Sequence, residues 1–251
     1  MSDVRLSTNL TYQLVFVGNE KIPVLIIDDF VENPEKLIDY ASLNDENGDR
    51  FQCQKSDYYP GVRKSSAQNY QALIGRSLFS LLKSSLFLSN MEADKATLDH
   101  EASYLNVLMS AFSIATTKPE DLRPIQMLPH FDTPANNQLA MVHYLCNENH
   151  GGTSIYRHKK TGFERITEQR HDRYRQLLKN QAIAEKLHLN PTYIEGDTSL
   201  FKQIYSIEAK MNRAVLYPSN VLHSGNIRPS TGLCSVPESG RLTISSFLSL
   251  K

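Results

Sequence analysis

A mainly β sandwich or barrel with flanking helices is the fold class this sequence predicts, on three observations. Short runs rich in Val, Ile and Leu recur from residue 102 to the C-terminus, with Gly- and Pro-containing punctuation between several of them. Two more strand-like runs and two stretches of helical periodicity precede them. The composition is that of an ordinary globular protein, 40% hydrophobic and 22% charged, which excludes a wholly disordered or fibrous chain. At 251 residues the length suits one β domain, and residues 1–251 are read as a single unit.

The elements follow in chain order. Residues 11–17 (TYQLVFV) and the run IPVLIID from residue 22 read as strands, with Asn19 and Glu20 suited to the turn between them. Asn33-Pro34-Glu35 opens a helix through about Ser42, because proline presets the first-turn φ angle. Residues 43–66 are polar and carry Tyr58-Tyr59-Pro60-Gly61, so they read as a long loop. Residues 67–88 place apolar side chains at helical spacing. Strands are then expected in SYLNVLMSAFSIAT, Ile125–Phe131, Leu139–Cys146, Thr153–His158, Ala214–Tyr217 and Leu242–Leu250. Residues 162–189 interrupt them with a charge-dense helical insertion, read as a solvated amphipathic helix lying on the sheet, as the N-terminal helices also should.

Charge and composition remove several function classes. Lys and Arg number 27, as do Asp and Glu. A neutral chain lacks the electrostatic footprint of a general nucleic-acid binder. No window approaches the 18 apolar residues a membrane helix needs, and MSDVRLSTNLTYQ has no apolar core of signal-peptide length. The three cysteines, Cys53, Cys146 and Cys234, are odd in number and far apart. They argue against a disulfide framework or Cys-rich zinc site, fit a reducing cytoplasm, and read as small packed hydrophobes.

Histidine placement carries the first chemical signal. Among eight histidines, one H-x-D occurs, His130-Phe131-Asp132, at the end of the strand-like IQMLPHFD. Residues two apart on a strand face the same side, which would set an imidazole beside a carboxylate. His223, after the hydrophobic run and turn of AVLYPSNVLHSG, is the best third ligand. Two imidazoles and one carboxylate suit non-haem Fe(II) and leave coordination positions open. His143, in AMVHYL, reads instead as a buried, hydrogen-bonded core histidine. His150 reads as exposed, and His158, His171 and His188 as solvated; His100 carries no clear signal.

The second signal is Arg241, which opens RLTISSFLSL. Arg241, Thr243 and Ser245 share one strand face. A guanidinium turned into a β interior is costly unless it meets an anion, and its planar fork matches a carboxylate bidentately. An internal acid is the bland partner for it.

H-x-D, a distal His and an Arg-led C-terminal strand together resemble the Fe(II)/2-oxoglutarate-dependent oxygenases, especially their prolyl-hydroxylase-like branch. The likeness extends along most of the chain: IPVLIIDDF, PHFD, Tyr144-Leu145 before Gly151-Gly152-Thr153, NRAVLYPSNVLHSG and RLTISSF. It implies a double-stranded β-helix, the cupin-like jelly roll, with Fe(II) held by His130, Asp132 and His223. It further implies that Arg241 pairs with the remote carboxylate of 2-oxoglutarate, with Tyr144 and Ser245 adding hydroxyls and Thr243 a neighbour on the same face. O2 is the remaining co-substrate, and hydroxylation of an amino acid, a protein side chain or another small molecule is the implied outcome. Asp132 disfavours a halogenase, because halogenating members lack this carboxylate.

The chain departs from that pattern in its long Asp132-to-His223 separation, caused by the helical insertion, and in the extra loop IRPSTGLCSVPES before Arg241. Loops vary more readily than strand ends, so the ligand assignment survives both departures. Two other classes fit the same residues: a cupin-like metal- or ligand-binding protein without oxygenase activity, and a jelly roll with purely structural histidines. Tyr58, Tyr59, Arg63, Asn136, Asn137 and Arg228 sit in loops that can line an entrance, though each also suits an ordinary surface or turn position. No sequence feature specifies an oligomeric state.

Overall fold

The structure is a computed structural model and describes residues 4–43, 50–53, 58–91, 104–231 and 233–250. It is a mainly β fold with two antiparallel sheets and few helices.

The chain opens with β1 (Thr11–Val17) and β2 (Ile22–Asp28), an antiparallel pair as the sequence predicts. Ile22, Val24, Leu25 and Ile27 are all fully buried, because β2 is an inner strand covered on both faces. Burying each such side chain stabilises the fold by ~1.5–3 kcal/mol. The first helix, α1 (Glu35–Ser42), starts after Pro34 and buries Leu37 and Ala41, one helical turn apart.

Two expectations change in the next stretch. The loop expected over 43–66 lies partly outside the described residues, and its end forms an edge strand, β3 (Gly61–Ser65). GVRKS carries no apolar alternation, so local pattern could not reveal it. Gly61 is needed there, since a Cβ would stand 2.0 Å from the Ile114 carbonyl oxygen. The helix expected over 67–88 is α2 (Gln68–Leu73) and α3 (Phe79–Ser84), joined by a π turn at Ile74–Leu78. Gly75 sits in that turn, where a Cβ would crowd the Leu105 carbonyl at 3.3 Å.

The remaining strands are β4 (Leu105–Ala115), β5 (Gln138–Tyr144), β6 (Thr153–His158), β7 (Phe201–Ile207), β8 (Arg213–Pro218), β9 (His223–Gly225) and β10 (Leu242–Leu250). Sequence pattern missed β7 and the three-residue β9. It also misread Ile125–Phe131 as a strand. Pro124–Met127 is a 3-10 turn, and the extended segment after it joins a sheet through one bridge, His130 to His223. Pro124 and Pro129 lack the N–H groups a regular ladder requires.

The larger sheet runs β1-β2-β8-β5-β10-β4-β3 and the smaller β7-β6-β9. Ala140, Tyr144, Val215 and Tyr217 of the larger sheet meet Ile155 and Ile207 of the smaller one, so one core fills the space between the sheets. A second core covers the larger sheet's outer face, where Leu37, Tyr70 and Leu78 pack with Leu25, Ile27 and Ile244. The insertion helix α4 (Glu168–Ala184) covers the smaller sheet and buries Tyr174 against the same cluster as Tyr156 and Phe201. Most of its other residues stay solvated, as expected of the 162–189 insertion. Among the described residues, no helix is long and apolar enough to cross a membrane.

Candidate metal centre

Three extended segments build the centre. His223 opens β9 and pairs with Ile155. Its backbone exchanges two hydrogen bonds with His130, at 2.9 and 2.8 Å, which draws the isolated His130 segment onto the smaller sheet. The Asp132 N–H donates to the Ser219 carbonyl at 2.8 Å, just beyond β8. The strap before His223 is held from behind: the Leu222 N–H donates to the Glu164 carbonyl, and the Ile166 N–H to the Asn220 carbonyl, each at 2.8 Å. The buried Glu164 carboxylate accepts from the N–H groups of Asn19 and Glu20 and from Arg157. The β1–β2 turn thereby anchors the strap that carries His223.

One ligand atom from each of His130, Asp132 and His223 lies within 4.8 Å of the others. His130 Nε2 stands 3.8 Å from Asp132 Oδ1, and His223 Nε2 stands 3.9 Å from Asp132 Oδ2. His223 Nδ1 is 2.9 Å from the Val221 carbonyl, so Nδ1 carries the proton and donates. That bond leaves the Nε2 lone pair turned toward the carboxylate, as a metal ligand requires. Asp132 Oδ2 is buried and accepts no hydrogen bond. Such an orphan oxygen costs ~1–3 kcal/mol or more, and a cation among these donors removes that cost. The donor set therefore fits a divalent transition metal.

Electrostatics agree with this geometry. Burial raises the Asp132 carboxyl pKa, and the nearby His223 and Arg63 partly offset the rise. Desolvation first, then His223 and Arg63, hold His130 well below the ordinary imidazole value. Yet 51% of its side-chain surface meets solvent. A ring enclosed by protein mass but reached by water lines a recess, so His130 marks the open side of the centre and its desolvation is incomplete.

The residues expected to receive an anion lie around Arg241. Arg241 is buried, and its Nη2 donates to the Gly152 carbonyl at 2.8 Å. Its Nε has no hydrogen-bond partner. Among the described residues, no carboxylate forms an ion pair with it. Burial lowers its pKa, but Tyr59, Cys146 and Tyr144 outweigh this and raise it; a thiol and two phenols are neutral at pH 7. The internal acid that would have explained Arg241 without a ligand is not among its described neighbours.

Tyr144 lies 5.9 Å beneath the Arg241 guanidinium, and its hydroxyl bonds Thr153 at 2.6 Å. Thr243 pairs with Tyr144 across the sheet, while its own hydroxyl donates to the Ser113 carbonyl at 3.4 Å. Ser245 is half-buried on the same face, paired with Val142. Sequence reasoning missed Tyr217, whose ring is tilted against that of His223 with centroids 4.8 Å apart, and whose hydroxyl is shifted by the charges of both Asp132 and Arg241. It links the two halves of the site, and nothing in AVLYPSN distinguishes it from an ordinary strand aromatic.

Other expectations divide. His143 is buried and satisfied by Tyr70 and Asn212, as a core histidine should be. His158, expected to be solvated, is buried and bonded by Thr161 and Gln181. The α4 insertion folds over it, with Tyr174 edge-on at 5.3 Å. His150 is half-buried, His171 lies edge-on to Phe131, and His188 is exposed; His100 lies outside the described residues. Only Cys146 is a packed cysteine; Cys53 is exposed and Cys234 half-exposed.

Of the entrance candidates, Asn136 accepts from Asn220, the Asn137 carbonyl accepts from Leu250, and Arg228 reaches Glu148 and Glu195. Tyr58 is exposed beside Arg123, whereas Tyr59 and Arg63 stack on each other at 4.7 Å. A surface depression of about 500 Å³ between edge strands β1 and β7 is lined by Asp28 and Arg213, which pair with each other, and holds none of these ligands.

A family model described as "Family of unknown function (DUF6445)" matches residues 8–248, and the chain belongs to that family. No curated protein matches. The crystal structure of AviO1 from Streptomyces viridochromogenes Tue57 is similar at 9% identity and a TM-score of 0.39, over 96% of this chain and 89% of that one. At that score the likeness assigns neither fold detail nor chemistry.

Proposed function

We propose that this DUF6445 member is a non-haem Fe(II)- and 2-oxoglutarate-dependent dioxygenase of the hydroxylase type, built on a jelly roll. The observation that carries the reading is a pairing. A two-histidine, one-carboxylate cluster with an orphan oxygen stands near a buried arginine that no described carboxylate neutralises. Tyr217 senses both. One ligand with an anionic group at each end would satisfy them together.

Strand order supports the jelly roll. From β4 onward the chain contributes to the larger sheet, to the smaller at His130, to the larger at β5, to the smaller at β6 and β7, then to larger, smaller and larger at β8, β9 and β10. Eight extended segments alternating between two facing sheets are what a double Greek key requires.

In this reading His130, Asp132 and His223 hold the metal. Bound Fe(II), with 2-oxoglutarate and O2, supplies an oxidant for C–H hydroxylation, with succinate and CO2 as co-products. Arg241 receives the remote carboxylate through its fork, fixed by the Gly152 carbonyl and the Tyr144 ring. Tyr144, Thr153 and Tyr217, all buried, keep water from that end and preserve the strength of the ion pair. His130 lies on the open side, where substrate would approach.

The test is succinate formation by the purified protein with Fe(II), 2-oxoglutarate and ascorbate over a panel of amino acids, peptides and small molecules. Turnover that requires both metal and 2-oxoglutarate is expected. Absence of 2-oxoglutarate binding together with absence of succinate would reject the reading.

A further inference from the structure

We propose that the helical insertion is a positioning device for the metal centre, acting through a lock between Glu164, Glu20 and Arg170. This role rests on the metal-site reading above and is independent of the chemistry the metal performs.

All three candidate ligands hang from one short stretch, residues 219–223. His223 ends it, the Ser219 carbonyl accepts from the Asp132 N–H at 2.8 Å, and the His223 backbone exchanges two hydrogen bonds with His130. The imidazole is aimed from within the same stretch, since His223 Nδ1 bonds the Val221 carbonyl at 2.9 Å. A displacement of Val221 therefore turns the ring and carries Nε2 away from Asp132.

This stretch is gripped from two sides. On one, the Tyr156 N–H donates to the Leu222 carbonyl at 2.8 Å. On the other lie residues 164–166, which lead into α4. There the Leu222 N–H donates to the Glu164 carbonyl and the Ile166 N–H to the Asn220 carbonyl, with a bridge from Arg165 to Val221 between them. An insertion that only lined an entrance would not need to share backbone hydrogen bonds with the ligand-bearing stretch.

Reciprocal caps fix residues 164–166 in turn. The fully buried Glu164 carboxylate accepts from the N–H groups of Asn19 and Glu20 at 3.0 and 2.8 Å, while the Glu20 carboxylate accepts from the Glu164 N–H at 3.0 Å. Each carboxylate has its own arginine. Arg157 Nε meets Glu164 at 2.6 Å, and Arg170 Nη1 meets both oxygens of Glu20 at 2.9 Å. Arg170 stands in the first turn of α4, donates also to the Arg165 carbonyl at 3.0 Å, and lies 4.5 Å over the Phe163 ring. The β1–β2 turn is shaped to receive Glu164, for a Cβ at Gly18 would stand 2.3 Å from its Oε2. Charges of opposite sign are thus matched in pairs, and removing one member leaves its partner uncompensated.

The experiment titrates Co(II) calorimetrically into the full chain freed of metal and records the Co(II) ligand-field bands, which report coordination geometry. Glu164→Gln should weaken Co(II) binding by ~10-fold or more and shift the bands. Glu20→Gln and Arg170→Met should do so by smaller factors, and Arg170→Lys, which keeps the charge, should recover most of the loss. Asp28→Asn is the matched control. It breaks an ion pair of the same kind, with Arg213, at the other end of the same hairpin, so it should lower the melting temperature and leave Co(II) affinity unchanged. If Glu164→Gln does not fold, the part-exposed pair of Glu20 and Arg170 decides. Unaltered affinity and bands in the Glu20 and Arg170 variants, or an equal loss of affinity in Asp28→Asn, would overturn the inference. If the wild-type chain binds no Co(II), the metal-site reading itself has failed; if it binds and the lock variants bind alike, only the positioning role has.

Discussion

His143 and Tyr144 are neighbours on β5 yet belong to opposite worlds. His143 faces the outer, helix-covered core, where Tyr70 satisfies one ring nitrogen at 3.0 Å and Asn212 the other at 3.1 Å. Tyr144 faces the inner side, beside Arg241, whose Nε lacks a partner, and in the same core as Tyr217, whose ring lies tilted against His223. On the outer face every polar group of the His143 cluster is matched within the protein. On the inner face, buried polar atoms are left for something else to match. A fully satisfied buried network stabilises and specifies a fold, whereas unsatisfied buried groups persist where a ligand completes them.

The sharpest way to break this contrast is to remove a proposed metal ligand. His130→Ala, Asp132→Ala or His223→Ala should lower metal retention by ~1,000-fold or more, since two remaining donors seldom hold a labile divalent ion; metal analysis after gel filtration reads this. His143→Ala should leave metal content intact while lowering the melting temperature, because it opens a cavity in the core and takes away the partner of the buried Tyr70 hydroxyl. An equal loss of metal in the His143 variant would erase the distinction between the faces.

A pH titration sharpens the outer half. Burial depresses the His143 pKa from 6.5 to about 4, against a smaller opposing effect of Asn212. The unfolded chain therefore binds the proton between pH 6.5 and about 4 while the folded chain does not. The contribution of neutral His143 is complete above pH 6.5 and declines as pH falls through that window, by on the order of 3 kcal/mol. His143→Gln should flatten this part of the stability–pH curve in chemical denaturation. A curve of unchanged slope would mean that other groups govern acid sensitivity.

The smallest of these effects tests the inner half. Arg241→Leu should weaken 2-oxoglutarate binding by ~100-fold, the scale expected for a charge-assisted bidentate pair, with metal retained. Its melting temperature should hold or rise, because replacing a buried charge that lacks an opposite partner with an apolar side chain relieves desolvation. Calorimetry measures both. A large fall in stability would show that Arg241 serves the fold, as His143 does.

Legibility in the sequence followed the range of the interactions involved. IPVLIID showed β2 because an inner strand must be apolar on both faces, and Pro34 showed where α1 begins. His130, Asp132, His223 and Arg241 were visible as residue types whose chemistry is rare in a β interior. By contrast, β3 exists only because β4 offers it an edge, and the segment around His130 is extended only because His223 pairs with it. His158 was misread because the helix that buries it is remote in the chain: Gln181 lies 23 residues away.

The strongly patterned elements, such as β2 and α1, and the identities of the candidate ligands were thus set by composition and short-range pattern, which act through burial and backbone geometry over a few residues. Tertiary structure alone decided that three ligand atoms converge, that Arg241 lies among neutral groups, and that Tyr217 turns inward. The physical reason is that desolvation and charge pairing depend on what the rest of the chain packs around a group, and that surrounding comes from sheet register and facing layers, not from adjacent letters.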